Sequence, residues 1–224
     1  MTAALGVMAR APSSPGKTRL APHFSPSALR ALQRALVRDT LAVACANRSV
    51  ETIVFVTPDE AVDEIRPLAP RGLPIIPQGN GDLGARMCRA MRHLLVDRTC
   101  KIAILIGTDV PMLTAADIDT AAAALRNRTD LVLGPADDGG YYLTGMTHVI
   151  DAVFDGIEWG TDRVLSQTIA AANRAGMRVQ TIANLYDVDT IEDLRRVEVD
   201  LRARPEWTCQ SLRQFLETHL TPPA

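Results

Sequence analysis

Asp109 closes the run Ile104-Leu105-Ile106-Gly107-Thr108-Asp109-Val110-Pro111, where an apolar strand gives way to a proline-bounded loop. Open α/β sheets bind ligands outside the carboxyl ends of their strands, so a carboxylate there can reach a metal ion, a phosphate or a ribose. A turn-starting Asp ahead of Pro111 is the plainer alternative. A second pair of carboxylates lies in Tyr186-Asp187-Val188-Asp189-Thr190-Ile191, again where a strand ends before an amphipathic helix. Residues i and i+2 share a face in a regular strand, but a chain turning out of the strand splays them. One of the two is therefore expected to face Asp109, and Asp189 is preferred. Hard cations such as Mg²⁺ or Mn²⁺ take oxygen ligands and often use one or two protein carboxylates with nucleotide phosphates, which makes Asp109 and Asp189 the candidate pair.

Cations precede the first helix, in Arg10-Ala11-Pro12-Ser13-Ser14-Pro15-Gly16-Lys17-Thr18-Arg19-Leu20. Gly16 permits a tight turn with exposed amides, Lys17 supplies a point charge and Arg19 a bidentate fork for phosphate oxygens. This is not a Walker loop, because Ala11 stands where the first glycine of that motif is needed. Two solvated cations on a surface loop are the alternative. Gln78-Gly79-Asn80-Gly81-Asp82-Leu83-Gly84 then sets glycines at the start of a helix, where backbone amides can approach a nucleotide, Gly84 among them. Asp82 suits either a helix cap or a nucleotide contact, and Gln78, with one acceptor and two donors, can read a base edge.

Two later loops are candidates for an acceptor. Ala136-Asp137-Asp138-Gly139-Gly140-Tyr141 carries two carboxylates, one of which can bond a sugar hydroxyl or act as a base unless the segment is only an Asp-Gly turn. Ile157-Glu158-Trp159-Gly160-Thr161-Asp162 offers an indole whose flat face suits a sugar or a base, with a core Trp as the alternative and Thr161 or Asp162 as a helix cap.

The elements that must position these groups follow from periodicity. Ala4 to Ala9, Thr52 to Val56, Leu73 to Ile76, Ile102 to Ile106, Leu131 to Leu133 and Arg178 to Ile182 read as strands. A helix starts at Ser25-Pro26, with Ser as N-cap and Pro at its first turn. Further helices are expected at Leu83 to Val96, Ala115 to Arg126, Asp162 to Ala175 and Ile191 to Ala203, and a terminal one at about 207–220. The alternation implies one α/β domain over 1–224: a three-layer α/β/α, mostly parallel, doubly wound sheet. Tyr141 to Gly145 can add an antiparallel strand near the site. Trp207 and Phe215 either pack the terminal helix or mark a homodimer contact.

Composition narrows the partners. Lys and Arg number 24 against 26 Asp and Glu, for a net charge of −2, and no basic block stands out, so a small molecule is more natural than nucleic acid. Cys45, Cys88, Cys100 and Cys209 are scattered, which argues against zinc and against a disulfide framework. The apolar N-terminal run is interrupted at Arg10, too early for a signal peptide or a membrane span, so a cytoplasmic protein is expected.

Taken together, Lys17-Thr18-Arg19-Leu20, Gly107-Thr108-Asp109-Val110-Pro111 and Asp187-Val188-Asp189-Thr190-Ile191-Glu192-Asp193-Leu194 resemble the nucleotide-diphospho-sugar transferase superfamily, the GT-A fold. With Gln78 to Met87, Gly134 to Leu143 and Ile157 to Asp162 added, the chain resembles the bacterial glycosyltransferase-type family that is itself similar to 2-phospho-L-lactate guanylyltransferase. The resemblance implies a nucleotide over the first-strand loop, with Lys17 and Arg19 at its phosphates and Gln78, Asp82 and Gly84 near the base. It implies Asp109 and Asp189 on Mg²⁺ or Mn²⁺, and Asp138, Gly139, Gly140, Trp159 and Asp162 toward the acceptor. One departure stands out. Sugar nucleotidyltransferases carry an Ala-Gly-Gly-x-x-x-Arg-Met type of first loop, and Ala-Pro-Ser-Ser-Pro-Gly-Lys-Thr-Arg-Leu replaces it here.

The leading expectation is a metal-dependent transferase using a nucleotide-activated sugar, with Asp138 as acceptor base and Lys17 as a catalytic cation. The alternative is a nucleotidyltransferase that moves a nucleoside monophosphate onto a phosphorylated small molecule. A non-catalytic nucleotide-binding module is the third.

Overall fold

The computed structural model describes residues 2–205 and 207–220. In chain order the elements are β1 (Ala3–Arg10), α1 (Pro26–Ala46), β2 (Glu51–Thr57), the single turn α2 (Val62–Ile65), β3 (Ile75–Pro77), α3 (Leu83–Arg92), β4 (Ile102–Ile106), α4 (Ala115–Arg126), β5 (Leu131–Pro135), β6 (Tyr141–Met146), α5 (Val164–Arg174), β7 (Val179–Thr181), α6 (Ile191–Ala203) and α7 (Gln210–His219). The strands form one sheet in the order β3-β2-β1-β4-β6-β5-β7, in which β6 alone runs antiparallel to its neighbours. The expected α/β class and the antiparallel strand near the site are both present.

Strand alternation builds the layers. Along β4, Ile102, Ile104 and Ile106 pack on one face with α1 and α4, while Ala103 and Leu105 pack on the other with α3 and α5. A third cluster lies between α1, α6 and α7. Ser25 caps α1 by accepting the Ala28 N–H at 3.2 Å, as its position before Pro26 predicts. Thr114 and Thr190 close capping boxes at the starts of α4 and α6.

Strand order fixes where a ligand goes. The chain runs outward from β1 to β2 and β3, then returns to lay β4 on the other side of β1. The loops after β1 and β4 therefore part in opposite directions, and a crevice opens at their carboxyl ends.

Several boundaries differ from expectation. The Leu83 to Val96 helix is regular to Arg92 and continues as a wider turn over His93–Asp97. The terminal helix begins at Gln210, and Phe215 lies inside the third cluster, its ring centroid 5.8 Å from that of Phe24. Trp207 is half-buried against the same cluster, with the Arg204 guanidinium over its ring. Both aromatics thus have partners within the chain. Cys45, Cys88, Cys100 and Cys209 are free thiols. Among the described residues no helix is long and apolar enough to cross a membrane.

Candidate functional site

The loop after β1 folds Lys17 inward. Its φ of 54° is left-handed, uncommon for a residue with a side chain, and its side chain is 4% exposed. The ammonium lies 2.8 Å from Asp109 Oδ1 and 2.9 Å from Asp189 Oδ1, and it donates to the carbonyl of Val188. Those three oxygens take up its three protons. Burial opposes the Lys17 charge, but the two carboxylates outweigh it and raise its pKa. Asp109 and Asp189 thus converge as the sequence predicts. Lys17, expected at a phosphate, is instead the strut between them.

Asp187 also faces the site, against the expectation that only one of the pair would. The segment after β7 does not turn away at once: Leu185 bridges Ala136 in parallel, and Asp137 N–H donates to Leu185 O at 3.0 Å. The chain stays extended, so Tyr186 and Val188 point into the core while Asp187 and Asp189 share the opposite side. Desolvation, with the Asp138 and Asp189 charges beside it, pushes the Asp187 carboxyl up to about 6. Burial acts on Asp189 in the same sense, but Lys17 overrides it and holds that carboxyl below its usual range.

These groups lie in the crevice at the switch between β1 and β4. One half, about 490 Å³, is lined by Arg10, Thr57, Gln78, Arg86 and Thr108. The other, about 410 Å³, is lined by Asp109, Asp138, Asp187, Asp189 and Gly140. The two halves share Leu83, Met87, Gly107, Asp109, Tyr141, Tyr142, Trp159 and Gly160, which makes them one cleft with a cationic end and an acidic end.

The structure reassigns several predicted residues. Gln78 is buried and cannot offer its amide to a base: Nε2 donates to Ala9 O at 3.1 Å and Phe55 O at 2.9 Å, and Oε1 accepts from Arg86 at 3.1 Å. Asp82 is the cap of α3, accepting the Ala85 N–H at 2.8 Å. Gly84 is buried under the indole, where a Cβ would lie 2.5 Å from Phe154 O and 2.6 Å from Trp159 Nε1, so its small size makes room for Trp159 rather than for a nucleotide. Gly139 is pinned in the same way against the backbone of Asp162. Asp162 itself is exposed and caps nothing, since α5 starts at Val164. Arg19 is exposed and lines neither half of the cleft, but its charge helps hold Asp189 ionised.

Other predicted residues line the cleft. Asp137 is drawn away by Arg196 and Asn184, whereas Asp138 lines the cleft while its Oδ1 accepts the Gly140 N–H at 2.8 Å. Trp159 lines both halves.

Two arginines were missed. Arg10 is the last residue of β1 and Arg86 stands in the first turns of α3, and both line the cationic half. Burial first, and then the nearby Arg10 charge, lower the Arg86 pKa, and an anion beside the guanidinium would offset both. Their places at a strand end and a helix start were the available signal.

The donor set suits a hard divalent ion. The Asp109 and Asp189 carboxylates are 54% and 38% exposed, so each keeps an oxygen within reach of an ion in the cleft. Among the described residues no three or more His, Cys, Asp or Glu side chains form a cage, so an ion here would complete its shell with phosphate oxygens and water.

Comparison with known proteins places this geometry. The family described as an uncharacterized protein conserved in bacteria, DUF2064, matches residues 40–161, more than half of the chain. The chain belongs to the DUF2064 family. It is 28% identical over 187 residues to 2-phospho-L-lactate guanylyltransferase of Methanothermobacter thermautotrophicus, covering 81% of this chain and 78% of that protein. It is 26% identical over 186 residues to phosphoenolpyruvate guanylyltransferase of Sphaerobacter thermophilus, covering 82% and 87%. A crystal structure from Desulfovibrio desulfuricans, provisionally described as a nucleotide-diphospho-sugar transferase, superposes with a TM-score of 0.86 at 28% identity over 97% of this chain and 96% of that one. A CMP:2-keto-3-deoxy-manno-octonic acid synthetase, at a TM-score of 0.56 and 14% identity over 91% and 99%, shares the fold. The relatives are enzymes of the transferase class, as is this member of their fold.

Proposed function

We propose that the protein is a nucleotidyltransferase that moves a nucleoside monophosphate from a nucleoside triphosphate onto a phosphorylated small molecule. The carrying observation is a single cleft with Arg10 and Arg86 at one end, Asp109 where its halves meet and Asp189 beside it in the acidic half, the two carboxylates braced by Lys17. Guanylyltransferase relatives matching 81% and 82% of the chain favour this reading over transfer from a nucleotide sugar, the reading first drawn from the sequence.

In the reaction an acceptor phosphate oxygen attacks the α-phosphorus, a P–O bond forms, and the bond to the β-phosphate breaks with its electron pair leaving on pyrophosphate. Arg10 and Arg86 balance the triphosphate charge and then that of the departing pyrophosphate, with the exposed Arg19 adding to the field. Lys17 positions the two carboxylates. Asp109 and Asp189 would hold Mg²⁺ or Mn²⁺, which when bound neutralises phosphate charge. A phosphate oxygen is already ionised at neutral pH, so the attack needs no general base, and the role left for Asp138, with Gly140 and Trp159, is to orient the acceptor.

The test is pyrophosphate release with each nucleoside triphosphate, Mg²⁺ and a panel of phosphorylated acceptors, run beside nucleotide-sugar donors. Release that depends on the acceptor supports the reading. Turnover of nucleotide sugars alone, or nucleotide binding without turnover of either donor, contradicts it.

A further inference from the structure

We infer that the acceptor carries a cationic group beside its reacting phosphate, and is a phosphorylated amine rather than a phosphorylated carboxylic acid. This rests on the nucleotidyltransferase reading and names the substrate class for the acidic half of the cleft. That half, about 410 Å³, is lined by Asp109, Asp138, Asp187 and Asp189 and, among the described residues, by no lysine or arginine. Lys17 offsets one of these charges from behind, and a divalent ion on Asp109 and Asp189 would serve the triphosphate. Asp138 and Asp187 remain. The only hydrogen bond described for the Asp138 side chain is the one it accepts from the Gly140 N–H, and among the described residues neither Asp138 nor Asp187 has an ion pair, since Lys17 pairs with Asp109 and Asp189.

The walls give a second, independent observation. Tyr141 and Trp159 line this half, their rings edge to face at 6.3 Å and 80°, while the neighbouring Tyr142 is buried with its hydroxyl on Ala183 O. Aromatic faces attract cations through the ring quadrupole, and carboxylates at the same site add to that attraction. A ligand carboxylate placed there would face two like charges instead. Aromatic walls, unmatched carboxylates and the absence of basic side chains all select the same ligand charge.

The experiment compares pyrophosphate release by the full chain with Mg²⁺ and nucleoside triphosphate when phosphoethanolamine or phosphocholine, or alternatively phosphoenolpyruvate or 2-phospholactate, is the acceptor. The amines should be preferred by about tenfold in kcat/KM, mainly through KM, and the double variant Asp138→Asn, Asp187→Asn should bring the two classes to about parity. Preference for the acids, or a preference for amines that the double variant leaves intact, overturns the inference. Calorimetric titration with tetramethylammonium reads the site without turnover: binding about tenfold weaker in the double variant supports it, and equal binding or none to the wild type overturns it. If tetramethylammonium binds in this way while no acceptor releases pyrophosphate, the cation site stands and the nucleotidyltransferase reading fails.

Discussion

The backbone N–H of Val188 donates to the carbonyl of Asp109 at 2.9 Å. That bond laces the loop after β4 to the extended segment after β7, so the spacing of Asp109 and Asp189 is set by main chain as well as by the Lys17 ammonium between them. Placement of the carboxylates and neutralisation of their charge are therefore separable.

Lys17→Ala tests that separation. Removing a buried ammonium leaves two carboxylates and a carbonyl without their cation, and because the carboxylates are partly solvated the loss is set at about 2 kcal/mol rather than the full value of a buried pair. The variant should fold, melt lower, and gain more from millimolar Mg²⁺ than the wild type does. Thermal melts with and without Mg²⁺ check it; equal gains would mean that the ammonium and the divalent ion do not share a site.

Asp187→Asn carries a pH signature. The folded carboxyl is raised to about 6 against an ordinary value near 4, so between those pH values the folded chain keeps a proton that the unfolded chain has lost. The stability contributed by this group falls as pH rises through that window and levels off above it. In EDTA, the melting temperature of Asp187→Asn relative to wild type should rise from pH 4 to 6 and then stay flat. A difference that does not change with pH would show that Asp187 ionises normally.

Gln78 and Arg86 should separate. Arg86→Ala should weaken nucleoside triphosphate binding about tenfold and lower stability by about 1 kcal/mol, the cost of leaving Gln78 Oε1 without its donor. Gln78→Ala should lower stability by about 1–3 kcal/mol, because the amide ties β1 to β2, and should weaken binding through the lost anchor of Arg86. Chemical denaturation and calorimetric titration of each variant distinguish them. Full nucleotide affinity in Arg86→Ala removes that arginine from the site.

Gly84→Ala reports on Trp159. A Cβ there meets a carbonyl oxygen and the indole at close range, so a loss of about 1–3 kcal/mol and a shifted Trp fluorescence are expected. Lost nucleotide affinity with an unchanged melt and unchanged fluorescence would return Gly84 to a nucleotide-binding role.

The sequence showed most of this frame for definite reasons. Apolar runs alternating with helical stripes specify the parallel layers, and Ser25-Pro26 and Asp82 mark helix starts through chemistry local to the chain. Asp109 and Asp189 were readable because each stands where an apolar run ends. Tertiary facts were not. Nothing local tells that Lys17 turns inward through a left-handed φ, or that the chain stays extended past Leu185 and keeps Asp187 beside Asp189. Gln78 looked like a base reader because its donors are versatile, yet those same donors close the gap between β1 and β2. Arg10 and Arg86 lie in different elements and become a pair only when the switch point brings them to one cleft.

The fate of the α-phosphate tests the central claim most directly. Wild-type protein is incubated with Mg²⁺, a phosphorylated acceptor and a nucleoside triphosphate labelled at the α-phosphate, with Asp109→Asn and Asp189→Asn in parallel. The account predicts that the label moves into an acceptor-linked nucleotide in step with pyrophosphate release, and that both variants lose the transfer. Label that stays in unreacted triphosphate with the wild type across nucleotides and acceptors, or transfer that persists in both variants, would contradict it.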